Sequence, residues 1–190
     1  AYMTYAPNNY ISLTGGKIAN PFYTAGSDLI WDTDITPEGF AALINLPAGK
    51  TEFFFRTGFF PIDENAGISN DPALFALQVG VGGKSFWNFK LGLAWYDFMN
   101  IKNNVAIEDM SPSYNKRTNT MVNVSGKNYW VYDYSLFNAN VEVTPWVGTI
   151  GSNSFPLKFY GDYVNNNASG VKEGTGWLVG VTFGKAGKKG

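Results

Sequence analysis

SFWNFKLGLAWYD, residues 85 to 97, alternates with a period of two. Trp87, Phe89, Leu91, Leu93 and Trp95 share one side, and Asn88, Lys90, Gly92 and Ala94 share the other. Successive side chains of a strand point to opposite faces, so the stretch reads as a strand with one apolar face and one polar, small-residue face. The apolar face begins and ends in Trp. Eight residues of strand span roughly 27 Å, or about 20 Å along a membrane normal at a tilt of ~40–45°. That approaches the apolar band of an outer-membrane barrel, about 25 Å tall and edged by aromatic girdles. A soluble sandwich strand with its aromatics in a core is the competing reading.

The flanking sequence repeats the pattern. In Ala73 to Val81, Phe75, Leu77, Val79 and Val81 oppose Leu74, Ala76, Gln78 and Gly80. Like faces must meet across a hairpin. A three-residue loop Gly82 to Lys84 satisfies this, placing Val79 by Trp87, Leu77 by Phe89 and Gln78 by Asn88. In Thr51 to Phe60, Phe53, Phe55 and Phe59 oppose Glu52, Phe54, Arg56 and Gly58. Pro47 to Lys50 is a turn. Asp28 to Leu46 reads as a strand interrupted or bulged at Pro37, where its apolar parity changes from odd to even. Tyr10 to Ile18 is the first strand expected.

Beyond Asp97, Met99 to Gly126 reads as a long polar loop. Asn128 to Val143 is a strand of ambiguous parity, with a bulge near Leu136 or tyrosines on the polar side. A connection holding Pro145 leads to the strand Phe155 to Val164, and a polar loop leads to the strand Thr175 to Lys185. In that last strand Trp177, Val179, Val181 and Phe183 oppose Leu178, Gly180, Thr182 and Gly184. The count is eight antiparallel strands. Connections are longer after the first, third, fifth and seventh, and shorter after the second and fourth. Short turns at one end and long loops at the other are the habit of outer-membrane barrels. The expected fold is an all-β, antiparallel transmembrane β-barrel.

Composition narrows function. The 190 residues suffice for one domain. Charged residues make up 15%, against about 25% in ordinary globular chains. Aromatics reach 17%, there are 22 glycines, and the formal net charge of −1 offers nucleic acid no basic field. Cysteine and histidine are both absent, which excludes disulfides, thiolate metal sites, Cys nucleophiles and Ser-His-Asp catalysis. No apolar run approaches a helical membrane span. No signal peptide is visible at Ala1, which reads as a processed product or a piece of a longer chain.

Asp32, Asp34 and Glu38 form an acidic cluster in WDTDITPE. They lack the glycine and terminal Glu spacing of a calcium loop, so no metal or cofactor is expected there. Nor does the sequence place a cleft around them for glycoside hydrolysis. The residues expected to line a pore are Glu52, Arg56, Gln78, Asn88, Lys90, Lys158 and Asp162, because charged rings can filter ions. Those expected to face lipid are Phe53, Phe55, Phe75, Leu77, Trp87, Phe89, Leu91, Trp95, Trp177, Val179 and Val181. A sugar-binding platform would need hydrogen-bonding groups beside aromatics on one face, and these faces are otherwise apolar. The small residues Gly58, Ala76, Gly80, Gly92, Ala94, Gly180 and Gly184 on the polar side suit either a channel or a plugged interior.

Four stretches, SLTGGKIANPF (12–22), SDLIWDTDITPEGFA (27–41), FYGDYVNN (159–166) and GWLVGVTFGKAGKKG (176–190), resemble the putative porins of Gram-negative bacteria. WDTDITPEG is the most specific of these words. The resemblance implies a larger single-chain barrel in the outer membrane, passing small hydrophilic solutes or ions by diffusion and catalysing nothing. GKAGKKG resembles a periplasmic turn that leads into further strands, and such barrels usually finish in an aromatic residue where this chain has Gly190. The resemblance therefore implies missing strands at the C-terminal side, and N-terminal ones as well. The implied partners are the lipid bilayer and the solutes, with a homotrimer among the assemblies porins form. The alternative from the residues alone is a soluble or surface β-sandwich module that binds carbohydrate or protein.

Overall fold

The computed structural model describes residues 1–32, 35–64, 70–84, 87–104, 119–150 and 153–184. Among them lie eleven strands: β1 Tyr2–Tyr5, β2 Ile11–Lys17, β3 Glu38–Ala48, β4 Thr51–Pro61, β5 Ala73–Lys84, β6 Asn88–Met99, β7 Met121–Val124, β8 Lys127–Trp130, β9 Tyr134–Ile150, β10 Asn153–Asn166 and β11 Thr175–Phe183. Nine of them build one sheet in the order β1-β2-β3-β4-β5-β6-β9-β10-β11, and β7 and β8 form a separate hairpin. Every pairing is antiparallel. The sheet is a meander with β1 at one edge and β11 at the other.

The two-residue alternation is kept from strand to strand. Arg56 pairs with Gln78, Gln78 with Ala94, Ala94 with Asn138, and Asn138 with Val164. On the opposite side Phe53 pairs with Val81, Val81 with Leu91, Leu91 with Val141, and Gly161 with Val179. Each strand thus lends its apolar side chains to one continuous surface. Large apolar residues are exposed across it, from Phe40 and Phe53 through Leu91, Leu93 and Trp95 to Trp177, Val179, Val181 and Phe183. We call this the outer face, and the polar one the inner face.

Connections alternate in length along the meander. At one end lie the stretches 6–10, 49–50, 85–87 and 151–152; at the other lie 18–37, 62–72, 100–133 and 167–174. In the large sheet β3 and β4 are joined by the two-residue turn Gly49-Lys50, where Gly49 takes a φ of 63°. A left-handed first residue suits a two-residue hairpin because its twist matches that of the strands.

Several sequence expectations change. The β5–β6 hairpin does not turn at Gly82 to Lys84. The ladder runs on through both glycines to Lys84↔Asn88, so Gln78 faces Ala94 and Val79 faces Leu93. The shift is even, so the faces still match; parity fixed the side but not the reach. Phe89 supplies the apolar cover that Gly83 lacks, its ring 3.0 Å from where a Cβ would stand. Residues 28–32 and 35–37 are not strand, and β3 begins just after Pro37, which has no N–H to give a ladder. Asn128 to Val143 is two strands broken at 131–133, and the second has no bulge at Leu136: Tyr134 and Leu136 share the inner side with Asn138 and Asn140, the alternative in which a tyrosine takes the polar side. Met121–Val124, inside the expected polar loop, pairs with Lys127–Trp130 as β7 and β8. The strand β9 continues through Pro145, where Leu157 pairs with Trp146 but Phe159 with Val143, a bulge that excuses the missing donor. Tyr2–Tyr5 adds an edge strand, while Lys185 lies outside the described residues, as do Asp34 and the GKAGKKG turn after Gly184.

Candidate functional site

The inner face carries the chemistry. After β2 the chain crosses over this face instead of forming the expected strand. Ile18, Phe22 and Trp31 are buried against Ala41, Phe60, Leu74, Ala76, Ala94 and Tyr96. Phe22 meets Tyr96 edge-on at 5.3 Å between ring centroids and lies 6.3 Å from Trp31. Of the apolar residues that suggested a strand before Pro37, Trp31 is used for this packing, whereas Ile35 stands exposed. Burying such rings is worth about 1.5–3 kcal/mol each, which makes the crossing segment part of the core.

Tyr23 is pinned at the middle of the sheet through its backbone. Its N–H donates to Gln78 Oε1 at 2.8 Å, and its carbonyl accepts from Gln78 Nε2 at 2.8 Å and from Asn140 Nδ2 at 3.1 Å. Asn140 Nδ2 also donates to Asn138 Oδ1 at 2.9 Å, and Asn138 Nδ2 donates to Asp162 and to the Tyr163 carbonyl. This chain of amides is buried, so each bond made spares a desolvation cost. Two glycines make room on this face, Gly92 for Tyr23 itself and Gly80 for Phe54, whose ring meets Tyr23 edge-on. A Cβ at Gly80 would stand 2.1 Å from the Phe54 ring and 2.3 Å from the Leu91 carbonyl oxygen. One at Gly92 would stand 2.8 Å from Asn140 Oδ1 and 3.0 Å from the Tyr23 ring. The small residues here make room for protein. Burial, and then the Glu142 carboxylate, push the Tyr23 phenol well above its usual range, so it stays protonated.

Toward the short-turn end the inner face becomes charged. Lys90 Nζ sits 4.4 Å from the Tyr23 ring centroid and 4.9 Å from that of Phe54. Arg56 Cζ is 5.2 Å from the Phe54 centroid, and its guanidinium donates to the Ile44 and Phe55 carbonyls at 2.8 and 2.9 Å and to Asn45. Lys158 pairs with Glu142 at 3.5 Å across β9 and β10. Glu52 and Asn88 are exposed nearby, opposite Gly82 and Lys84.

All seven residues expected to line a pore thus lie on the inner face, but they divide in two. Gln78 and Asp162 are covered by the crossing segment, with 0% and 6% of their surface exposed, and they hold structure together. Glu52, Asn88, Lys90, Lys158 and partly Arg56 reach the charged end. Of the eleven expected to face lipid, Phe53, Phe55, Phe75, Leu77, Phe89, Leu91, Trp95, Trp177, Val179 and Val181 lie on the outer face by register. Trp87 precedes β6 and is exposed. In the acidic cluster, Glu38 opens β3 opposite Lys17, and the Asp32 carbonyl accepts from the Ile35 N–H at 3.1 Å. Asn138, Asn140 and Glu142 were missed by sequence reasoning, although they alternate with Phe137, Ala139, Val141 and Val143. Tyr23 carried no such signal, because its part is played by backbone atoms.

An antiparallel all-β sheet with an exposed apolar outer face, and an inner face that is apolar where the crossing segment packs, amide-rich beneath Tyr23 and charged toward the short-turn end, is the class that this geometry defines. The model of the family described as "Putative porin" matches residues 1–132, and the chain belongs to that family. Of the four stretches with a porin-like wording, 12–22 and 27–41 fall inside the matched span and the other two outside it. No curated protein and no solved structure matches the chain.

Proposed function

We propose that the chain forms part of the wall of an outer-membrane β-barrel, with its outer face against lipid and its inner face beside a water-filled passage for small hydrophilic solutes or ions. The observation that carries this reading is the exposed apolar outer face of the sheet. Large apolar side chains stand exposed along the outer face, while Gln78, Asn138, Asn140 and Asp162 are buried on the inner one. An apolar surface of this extent needs a cover, and lipid is the cover that the family's membership supports. A soluble sandwich would instead pack that face against a second sheet. Among the described residues no second sheet does so; β7 and β8 form only a hairpin of two four-residue strands. The strands of the central hairpin, twelve residues each, are long enough to cross a bilayer at the usual tilt. The long-connection end is assigned to the cell exterior and the short-turn end to the periplasm. In this reading the charged end, not the amide chain under Tyr23, sets which ions pass, and the protein performs no catalysis.

Planar-bilayer recording on the full-length protein tests this. Lys90→Glu should move the reversal potential toward cation selectivity, because charge on a pore wall sets the local potential. The shift should shrink at 1 M salt, where the Debye length is about 3 Å. Arg56 is a poorer probe, since its guanidinium also ties β3 to β4. Absence of conductance, or a reversal potential at low salt that Lys90→Glu leaves unmoved, would refute the pore at this face.

A further inference from the structure

On the inner face, the Lys90 ammonium is held by rings and left without an acceptor. Register sets Glu142 directly across from it on β9. Glu142 instead pairs with Lys158 at 3.5 Å. Lys90 Nζ turns toward Tyr23 and Phe54, 4.4 and 4.9 Å from their ring centroids. Among the described residues it has no ion pair and no hydrogen bond. A ring holds a cation through its quadrupole, offers no acceptor atom and cancels no formal charge, so three N–H donors stay open. Lys90 is half-buried, with its head within reach of solutes. Arg56 Cζ lies 5.2 Å from the same Phe54 ring centroid, and its guanidinium donates to Asn45 and two carbonyls, all neutral acceptors. Two carboxylates face the group, Glu142 and the exposed Glu52, which lies across Gly82 from Lys90. Arg56, Lys90 and Lys158 outnumber them, and the exposed Lys50 and Lys84 add positive charge at the same end.

We propose that Lys90, with Arg56 beside it, binds a small doubly charged oxyanion such as sulfate or hydrogen phosphate on the inner face. This rests on the passage proposed above and names the solute class that its charged end favours. An ammonium and a guanidinium both suit oxyanion oxygens, through charge-assisted hydrogen bonds. A dianion meets two cations whose charges the protein leaves unpaired, whereas a halide brings one charge and no oxygen. The two cations share one ring and repel each other, and an anion beside them relieves that repulsion. The floor strengthens the attraction: Phe54 is 3% exposed, and charges interact more strongly above an apolar, low-dielectric wall than in water.

The test is titration calorimetry on the full-length protein in detergent micelles at low ionic strength, with sulfate as the probe and chloride as the comparison. Sulfate should bind saturably and at least about tenfold more tightly than chloride, because doubling the ligand charge doubles the Coulomb attraction. Lys90→Met keeps an unbranched stem over the rings, where Met packs well. Its melting temperature without sulfate should stay near that of the unmodified protein. Its sulfate binding should weaken at least about tenfold, as expected when a hydrogen bond to a charged group is lost. Lys90→Arg, which keeps the charge, should restore most of it. Lys84→Met removes an equal charge from the same end but not from the site, and should weaken binding less than about threefold, since exposed charges are screened. No saturable sulfate binding at an ionic strength up to about 0.1 M, where the Debye length is about 10 Å, would overturn the proposal. So would chloride binding as tightly as sulfate, or equal losses in Lys90→Met and Lys84→Met. Binding in micelles requires no conduction, so the two readings fail separately. Sulfate binding without current in a bilayer would refute the passage and keep the site, and current without sulfate binding would do the opposite.

Discussion

Gly80 carries more of the structure than its size suggests. The Phe54 ring lies where a side chain would be, Lys90 lies over that ring, and Tyr23 meets it edge-on at 6.0 Å. Adding one methyl would force it against both the ring and the Leu91 carbonyl. Because the carbonyl belongs to a paired strand and cannot swing aside, Gly80→Ala should destabilise the protein by about 1–3 kcal/mol, the usual cost of overpacking. Urea unfolding in lipid would measure it, and an unchanged midpoint would mean that Phe54 does not lie over Gly80. At this scale the sequence was legible in sidedness only. Alternation put Gly80, Gln78 and Lys90 on one face, yet it did not tell a glycine facing water from one facing a ring. Tyr134 was likewise ambiguous, because parity alone does not tell a tyrosine on the inner face from a bulge after Leu136.

Among the elements, β6 is the strand whose two faces differ most. Leu91, at its outer face, pairs with Val81 and Val141 and is half-exposed, whereas Asn88 lies at its inner face near the short-turn end. Under the lipid-facing reading, Leu91→Arg should cost roughly 2–4 kcal/mol if it stands near the bilayer midplane, and Asn88→Arg much less. Unfolding titrations in vesicles would compare them; the reverse order would mean that the faces are inverted. The strands themselves were legible because period two is a local property of the chain. Hairpin reach was not, since Gly82 and Gly83 look like a turn unless the partner strand is long enough to pair with them. Nor was the fate of residues 18 to 37. Ile18, Phe22 and Trp31 are as apolar as strand residues, and only the tertiary arrangement decides that they cover the inner face rather than join the sheet.

For the molecule as a whole, alternating connection lengths were readable directly from the spacing of apolar runs, and they recur as two unlike ends of the sheet. The bonds that hold the crossing segment were not readable, because they join residues from segments far apart in the chain. The same distance has a consequence in time. The bond from Asn140 to the Tyr23 carbonyl joins residues 117 positions apart, and the two bonds from Gln78 span 55. Closing long loops costs entropy before any contact repays it, so such contacts form late. The hairpins β3–β4 and β5–β6 close over a few residues and can pair first. Refolding into lipid should therefore show β-sheet circular dichroism rising ahead of the burial of Trp31, followed in a variant that keeps Trp31 as its single tryptophan. If both signals rise together, the crossing segment travels with the sheet from the start; a lag makes it the last piece to settle, drawn in once Gln78 and Asn140 already stand side by side.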